Sequence, residues 1–330
     1  MLSRSADSIY WLNRYIERAE NYARFLDVNM QLALDFAEGA QWMPLVETTG
    51  DREQFLEAYG EANSENVIRF LISDEKNPNS ILSCVSIARE NARAVREMIS
   101  TEMWLHINRF YLTLTESAAP GTQVANYSEL LAWVKDNCAL HAGLMDGSLS
   151  HTEAWHFGKL GRSVERADKT SRLLDIKYFY LLPGAEQVGS EADLIQWQAV
   201  LRSASALEMF RREYNRLTPA NVAGFLILDR HFPRSIRFCI AEGERSLREL
   251  TGGDPQAFRN EAEKRMGSFR SQLEYTEVGD IFRHGLHEYL DLIELRLNEI
   301  GEAIQEVFLV PPDASSMPAG AIFPQAQQQA

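Results

Sequence analysis

Apolar residues recur at steps of three and four along most of this chain, the period of an α-helix with one buried face. Leu12, Ile16, Ala19, Ala23, Leu26 and Met30 form one such stripe near the start. From Ile281 onward Leu286, Leu290, Ile293, Leu297, Ile300, Ile304 and Phe308 form another, with His287-Glu288 opening the last helix. Between Ser80 and about Glu116 there is no Pro or Gly, which predicts a single helix of about 55 Å at 1.5 Å per residue. Sustained alternation with a period of two is absent, so the fold class is all-α. Breaks are predicted at Pro44, Asn77-Pro78, Pro120-Gly121, Gly143 to Gly147, Pro183-Gly184, Thr218-Pro219, Phe232-Pro233 and Gly252 to Pro255, each pairing a helix breaker with polar or capping residues. Beyond Val310, residues 311–330 turn Pro-, Ser- and Gln-rich and are expected to form a flexible tail, with too little apolar surface to offset the entropy of ordering.

The 330 residues are enough for one large domain or two medium ones. The 33 basic against 47 acidic residues give a net charge of −14. That excess disfavours nucleic acid or an anionic membrane as partner, since both attract positive charge. No apolar run approaches the ~20 residues of a membrane span, and the start of the chain lacks the apolar stretch of a secretory signal. Cys84, Cys138 and Cys239 are widely spaced and contain no CxxC, so neither a disulfide framework nor a zinc site is expected. These features predict a cytoplasmic protein.

Internal repetition is the most informative feature. Arg14, Glu17, Arg18, Ala19, Arg24, Leu26 and Asp27 match Arg162, Glu165, Arg166, Ala167, Arg172, Leu174 and Asp175, all 148 positions on. Phe55, Tyr59, Val67, Phe70, Leu71, Pro78, Ser80, Ile81 and Cys84 match Phe210, Tyr214, Val222, Phe225, Leu226, Pro233, Ser235, Ile236 and Cys239, all 155 positions on. The difference, 155 − 148 = 7, points to an insertion near Tyr178 to Pro183. The expected architecture is therefore a tandem-duplicated bundle, with repeats at 1–150 and 151–310 related by a pseudo-two-fold axis and sharing one core. The matched apolar positions read as core. Ser80 and Ser235 read as helix caps, and Cys84 and Cys239 as small core residues.

At 100° per residue Arg14, Glu17, Asn21 and Arg24 line one edge of the first helix, with Arg18 beside them. One such edge would read as a solvated face with weak intrahelical ion pairs. A solvated face has no need of identical charges in two places, yet both copies spell Arg-x-x-Glu-Arg-Ala. Three readings stay open: a solvated face, a buried Arg–Glu network clamping helices, and an anion-gripping site exploiting the guanidinium fork. A second cluster, Arg89-Glu90-Asn91-Ala92-Arg93, places Arg89, Arg93 and Arg96 along one basic edge and is not duplicated. It reads either as a ligand or partner contact or as structural ion pairing. If the Glu-Arg helices converge on a cavity, the Arg89–Arg93 edge should line it.

Nucleotide-binding glycine loops, nucleophile elbows and HExxH are absent. Glu153-Ala-Trp-His156 is a single Glu-x-x-His where a di-iron bundle needs two and further glutamates. His284 and His287 have no evident ligand company and read as surface residues. No metal or cofactor is expected.

The runs Tyr10 to Asn21, Ala88 to Arg93 and Gly161 to Asp168 together resemble the bacterial Alpha-E domain family, named for its helices and its Glu-Arg motif. The likeness covers about 1–310; Asn13 stands where that family usually has Gly, as this chain does at Gly161. The resemblance implies a helical protein encoded beside, or fused to, a circularly permuted ATP-grasp protein, with a transglutaminase-like protein and a proteasome-like peptidase as further neighbours. It also implies a role in amide- or peptide-forming modification, and marks Arg14, Glu17, Arg18, Arg89, Glu90, Asn91, Arg93, Arg162, Glu165 and Arg166 as ligand- or partner-binding candidates. The function expected from sequence is a non-catalytic helical partner of an ATP-grasp amide or peptide ligase, which binds the ligase or presents its acceptor substrate. The alternative is an anion- or carboxylate-binding enzyme or substrate-binding component built on the paired Glu-Arg motifs. A purely structural scaffold is a third, weaker reading.

Overall fold

The computed structural model describes residues 1–35, 42–118, 126–179, 190–253 and 257–310, and among these it is helical with no strand. In chain order the helices are α1 (Ser3–Asp35), α2 (Met43–Thr49), α3 (Arg52–Tyr59), α4 (Ser64–Ile72), α5 (Ile81–Ala94), α6 (Thr101–Ser117), α7 (Tyr127–Ser148) and α8 (Glu153–Phe179). They continue as α9 (Glu191–Ser203), α10 (Leu207–Glu213), α11 (Pro219–Leu228), α12 (Ile236–Thr251), α13 (Glu261–Tyr275), α14 (Val278–His284) and α15 (Leu286–Ile304), with a π-helical turn over Gln305–Leu309. The tail at 311–330, the breaks at 120–121, 183–184 and 254–255, and most of the expected insertion lie outside the described residues.

The two longest helices, α1 and α8, pack on each other at the centre. Helix α1 also packs against α5 and α7, with α6 between those two; α8 packs against α12 and α15, with α13 between them. Leu12, Ile16, Ala19, Ala23 and Leu26 are buried as their spacing predicts, in a core that runs without interruption from Ala6 to Leu309. Close approach of the central pair depends on two glycines of α8. A Cβ on Gly161 would lie 2.4 Å from the backbone oxygen of Tyr10, and one on Gly158 would lie 2.7 Å from the Asn13 side-chain nitrogen.

Positions matched in sequence adopt closely similar local geometry. Phe55 stacks on Tyr59 (5.4 Å, 11°) with Phe70 edge-on at 5.1 Å; Phe210 stacks on Tyr214 (5.0 Å, 13°) with Phe225 edge-on at 5.7 Å. Cys84 and Cys239 are buried, each with its sulfur against a loop carbonyl, of Asn79 and Pro233. Ser80 and Ser235 cap α5 and α12, each accepting a hydrogen bond at 3.1 Å from the backbone N–H three residues on. Ser80→Ala and Ser235→Ala should therefore each cost about 1 kcal/mol in a denaturant titration.

Two sequence expectations are corrected. The helix predicted from Ser80 to Glu116 is two helices, with a turn at 95–100. No Pro or Gly makes this break; the Val95 N–H closes α5 on the Ala92 carbonyl, and the Ser100 hydroxyl accepts from Met103 N–H to start α6. Arg96 thus lies beyond α5, off the edge shared by Arg89 and Arg93. Conversely, α7 runs straight through Gly143 and Gly147, where a break was expected. Burial of Leu131, Val134, Cys138, His141 and Met145 on one face outweighs the ~1 kcal/mol that each helical glycine costs.

Candidate functional site

The Glu-Arg motifs of α1 and α8 face each other, and each glutamate is held by arginines of the other helix. Glu165 is fully buried. One of its oxygens accepts from Arg18 Nε at 2.6 Å and the other from Arg14 Nε at 2.8 Å and Arg18 at 3.1 Å. Glu17, 2 % exposed, accepts a bidentate pair from Arg166 at 2.7 and 2.8 Å and a further bond from Arg234 at 2.9 Å. Asn21 donates a side-chain bond to it at 3.0 Å. The solvated-face reading of the Arg-x-x-Glu-Arg motifs is thereby corrected, since their Arg–Glu pairs run between helices; Arg24, on the same edge of α1, pairs along its own helix with Glu20 at 2.6 Å.

Around this centre several further charged and polar groups are paired. Arg18 also donates to Asn79, whose amide bonds both oxygens of Asp51. Arg234 reaches Glu20 at 2.5 Å and Asn21 at 3.1 Å. Lys169 and Arg172 hold Asp168 at 2.9 and 3.1 Å. Arg162 lies beside this network, its pKa lowered by burial and by the nearby Arg166, and makes no hydrogen bond or ion pair with the described residues.

Burial alone would favour protonated glutamates, but the arginine charges outweigh it. Arg166 and Arg234 hold Glu17 at about 2, and Arg18 and Arg14 hold Glu165 well below the usual carboxylate range. Both are fixed anions, unsuited to proton transfer near neutrality. The depressed values set a sign for acid stability. An ordinary glutamate protonates near 4.5, so the stabilisation is complete above that pH and is lost as pH falls toward 2. We expect the unfolding free energy to drop steeply between about pH 4.5 and 2, on the order of 3 kcal/mol from Glu17 alone. Chemical denaturation at several pH values, with Glu17→Gln as the variant of reduced slope, checks this.

The second cluster is elsewhere. Arg89 donates to Asn108 at 2.8 Å and to Glu90 at 2.7 Å, and lies over the Tyr111 and Trp104 rings; Arg93 donates to Glu90 at 2.8 Å. Asn91 bonds the Ile87 carbonyl of its own helix. Glu90 and Arg93 are exposed, and no described hydrogen bond or ion pair joins this cluster to Glu17 or Glu165. The expectation that the Arg89–Arg93 edge lines a cavity with the Glu-Arg helices is corrected: a cleft between α1, α8 and α15 reaches Arg14 and Asp168 but neither Arg89 nor Arg93.

With this geometry in view, a family model described as "a predicted alpha-helical domain with a conserved ER motif", Alpha-E, matches residues 1–309. The chain belongs to the Alpha-E family. It is also similar to uncharacterised proteins of Mycobacterium bovis and of two Mycobacterium tuberculosis strains, 23% identical in each case over 94% of this chain. The match spans only 37% of the length of those relatives. No solved structure matches the chain. No described helix is long and apolar enough to cross a membrane.

Asn13 has a structural role: it donates to the Ile9 carbonyl and accepts from His141, so the buried His141, whose pKa burial pulls down to about 3, carries its proton on Nε2. Sequence reasoning missed Arg234. Its one signal was register, since it stands 155 positions from Asn79 (79 + 155 = 234) beside the matched Pro-x-Ser. His287 is corrected from a simple surface residue. Its Nδ1 lies 2.6 Å from Asp175, a partner 112 positions away (287 − 175 = 112), and with Asp291 these groups are close enough to share a cation.

Proposed function

We propose that this Alpha-E protein is a non-catalytic helical partner of a circularly permuted ATP-grasp ligase that forms amide or peptide bonds, binding the ligase or presenting its acceptor substrate. The observation that carries this reading is the saturation of Glu17 and Glu165 by guanidinium groups. The most acid-base-like residues of the motif are used for cohesion, and burial lifts the Cys84 and Cys239 thiols to about 12, leaving no thiolate nucleophile there. We further propose that 1–150 and 151–310 are copies related by a pseudo-two-fold axis, supported by the matched aromatic sets and the reciprocal Glu-Arg pairs.

The reading puts the protein in the cytoplasm, with a transglutaminase-like protein and a proteasome-like peptidase as further members of the system. The exposed Glu90–Arg93 surface, backed by Trp104 and Tyr111, supports docking there, since Arg and aromatic residues are the usual anchors of interfaces. Co-purification with the ATP-grasp protein, and its ATPase or ligase rate with and without this chain, test the proposal; no complex and no rate change would contradict it. Arg93→Glu should weaken the complex at least tenfold with an unchanged melting temperature. The second reading, a carboxylate-binding component, draws support from Arg162, which has no ion pair among the described residues, and from the free edge of Arg14.

A further inference from the structure

The cleft between α1, α8 and α15 is a cavity of about 260 Å³, large enough for a small metabolite. Tyr10, Trp11 and Arg14 line one side, and Asn298, Glu302 and Gln305 the other. Arg14 differs from the other clamp arginines in how little of its fork is used. Arg18 spends Nε and both terminal nitrogens on Glu165 and Asn79. Arg14 gives Glu165 only its Nε, and its one other hydrogen bond among the described residues is a long 3.4 Å bond from Nη1 to the Tyr10 hydroxyl. Its Nη2 has no hydrogen-bond partner among the described residues, while the guanidinium carbon sits 4.8 Å over the Trp11 ring. The group is thus fixed in orientation with a donor edge left over on the cleft.

The opposite wall adds two independent observations. Gly301 lines the cleft in the interior of α15, where glycine is unfavourable for a helix. No close packing requires it, because a Cβ there would meet nothing within 4 Å. Its missing side chain leaves the cleft open. The wall then ends in the π-helical turn Gln305–Leu309, a rare geometry found often at functional sites. Glu302 is exposed at the mouth and has no ion pair among the described residues, whereas Asp168 is already neutralised by Lys169 and Arg172.

We propose that this cleft binds a small zwitterion of the α-amino-acid class, its carboxylate on the spare edge of Arg14 and its ammonium toward Glu302, with Asn298 and Gln305 available to polar side-chain atoms. The site deepens the carboxylate-binding reading and rests on it, not on the ligase role. Arg14 is already largely buried, charged and held in place, so little ordering is needed for it to grip a carboxylate, and Glu302, without an ion pair among the described residues, supplies the complementary charge.

The test is saturation-transfer NMR and calorimetry of the full chain with the twenty standard amino acids, followed by the deaminated acid of the best binder. At least one amino acid should bind, and its deaminated acid should bind at least tenfold more weakly. Gly301→Leu, which fills the cleft, should weaken binding at least tenfold with a melting temperature at or above that of the parent protein. Glu302→Gln should erase the preference for the amino acid over its deaminated form. If no amino acid binds, the site in this cleft falls; the carboxylate-binding reading, which also draws on Arg162, falls only if simple carboxylates such as acetate and succinate fail to bind as well. Binding that survives Gly301→Leu overturns the cleft alone, and equal binding of the deaminated acid overturns the ammonium contact.

Discussion

Glu165→Ala is expected to destabilise the protein by about 3–5 kcal/mol in urea or guanidinium unfolding. The side chain is fully buried and takes three close hydrogen bonds from Arg14 and Arg18, so its removal leaves two largely buried guanidinium groups without their anion. The cost is mainly that of leaving positive charge uncompensated, not of losing the pair's own small net stabilisation. Glu17→Ala should behave in the same way, since Arg166 and Arg234 depend on it. Glu90→Ala provides the contrast. Its pairs with Arg89 and Arg93 are at the surface, with the carboxylate side chain 47 % exposed, and surface pairs contribute ~0–1 kcal/mol.

Gly161→Ala is the second large effect. The added methyl would fall 2.4 Å from the Tyr10 carbonyl oxygen, a backbone atom that cannot rotate away. Helices α1 and α8 must separate to admit it, at a cost of about 1–3 kcal/mol for overpacking, with more if the Glu165 bonds lengthen as the helices part. Alanine at Gly143 or Gly147, where nothing lies within 4 Å of the new carbon, should be neutral or stabilising by about 0.5–1 kcal/mol. Denaturation curves of the three variants measured together distinguish a close helix crossing from a general cost of changing helical glycines.

The all-helical class and much of the core were legible because spacing maps directly onto burial. Leu12, Ile16, Ala19, Ala23 and Leu26 are buried, and so are Leu286, Leu290, Ile293, Leu297, Ile300 and Ile304. Capping was legible at Ser80 and Ser235 because a serine two residues after proline satisfies a known backbone need. Helix ends decided by packing were not. The break at 95–100 carries no Pro or Gly, and the glycines of α7 break nothing, since a buried face overrides local preference.

The direction of the ion pairs was the least legible feature. Arg14, Glu17 and Arg18 are spaced as intrahelical partners, yet the bonds cross to residues about 150 positions away, as Arg14 to Glu165 and Arg166 to Glu17 do. Identical charges in both copies signalled that the motif was needed, without saying what it touched. The Asp175–His287 pair depends on three-dimensional proximity alone, and for Arg234 the repeat register marked the position but residue type gave no hint of its partner.

Function follows from what this centre leaves available. A motif whose carboxylates are saturated can align two long helices, and the functions proposed above therefore place recognition on the surfaces around them: the Arg89–Arg93 edge and the cleft beside Arg14.

A double-mutant cycle on Arg18 and Glu165, with both replaced singly and together by isosteric or shorter neutral residues, reaches the centre most directly. A coupling free energy of about 2–3 kcal/mol is the result that matches a dry, reciprocal clamp. Additivity of the two substitutions to within ~0.5 kcal/mol would mean that these side chains do not hold α1 against α8.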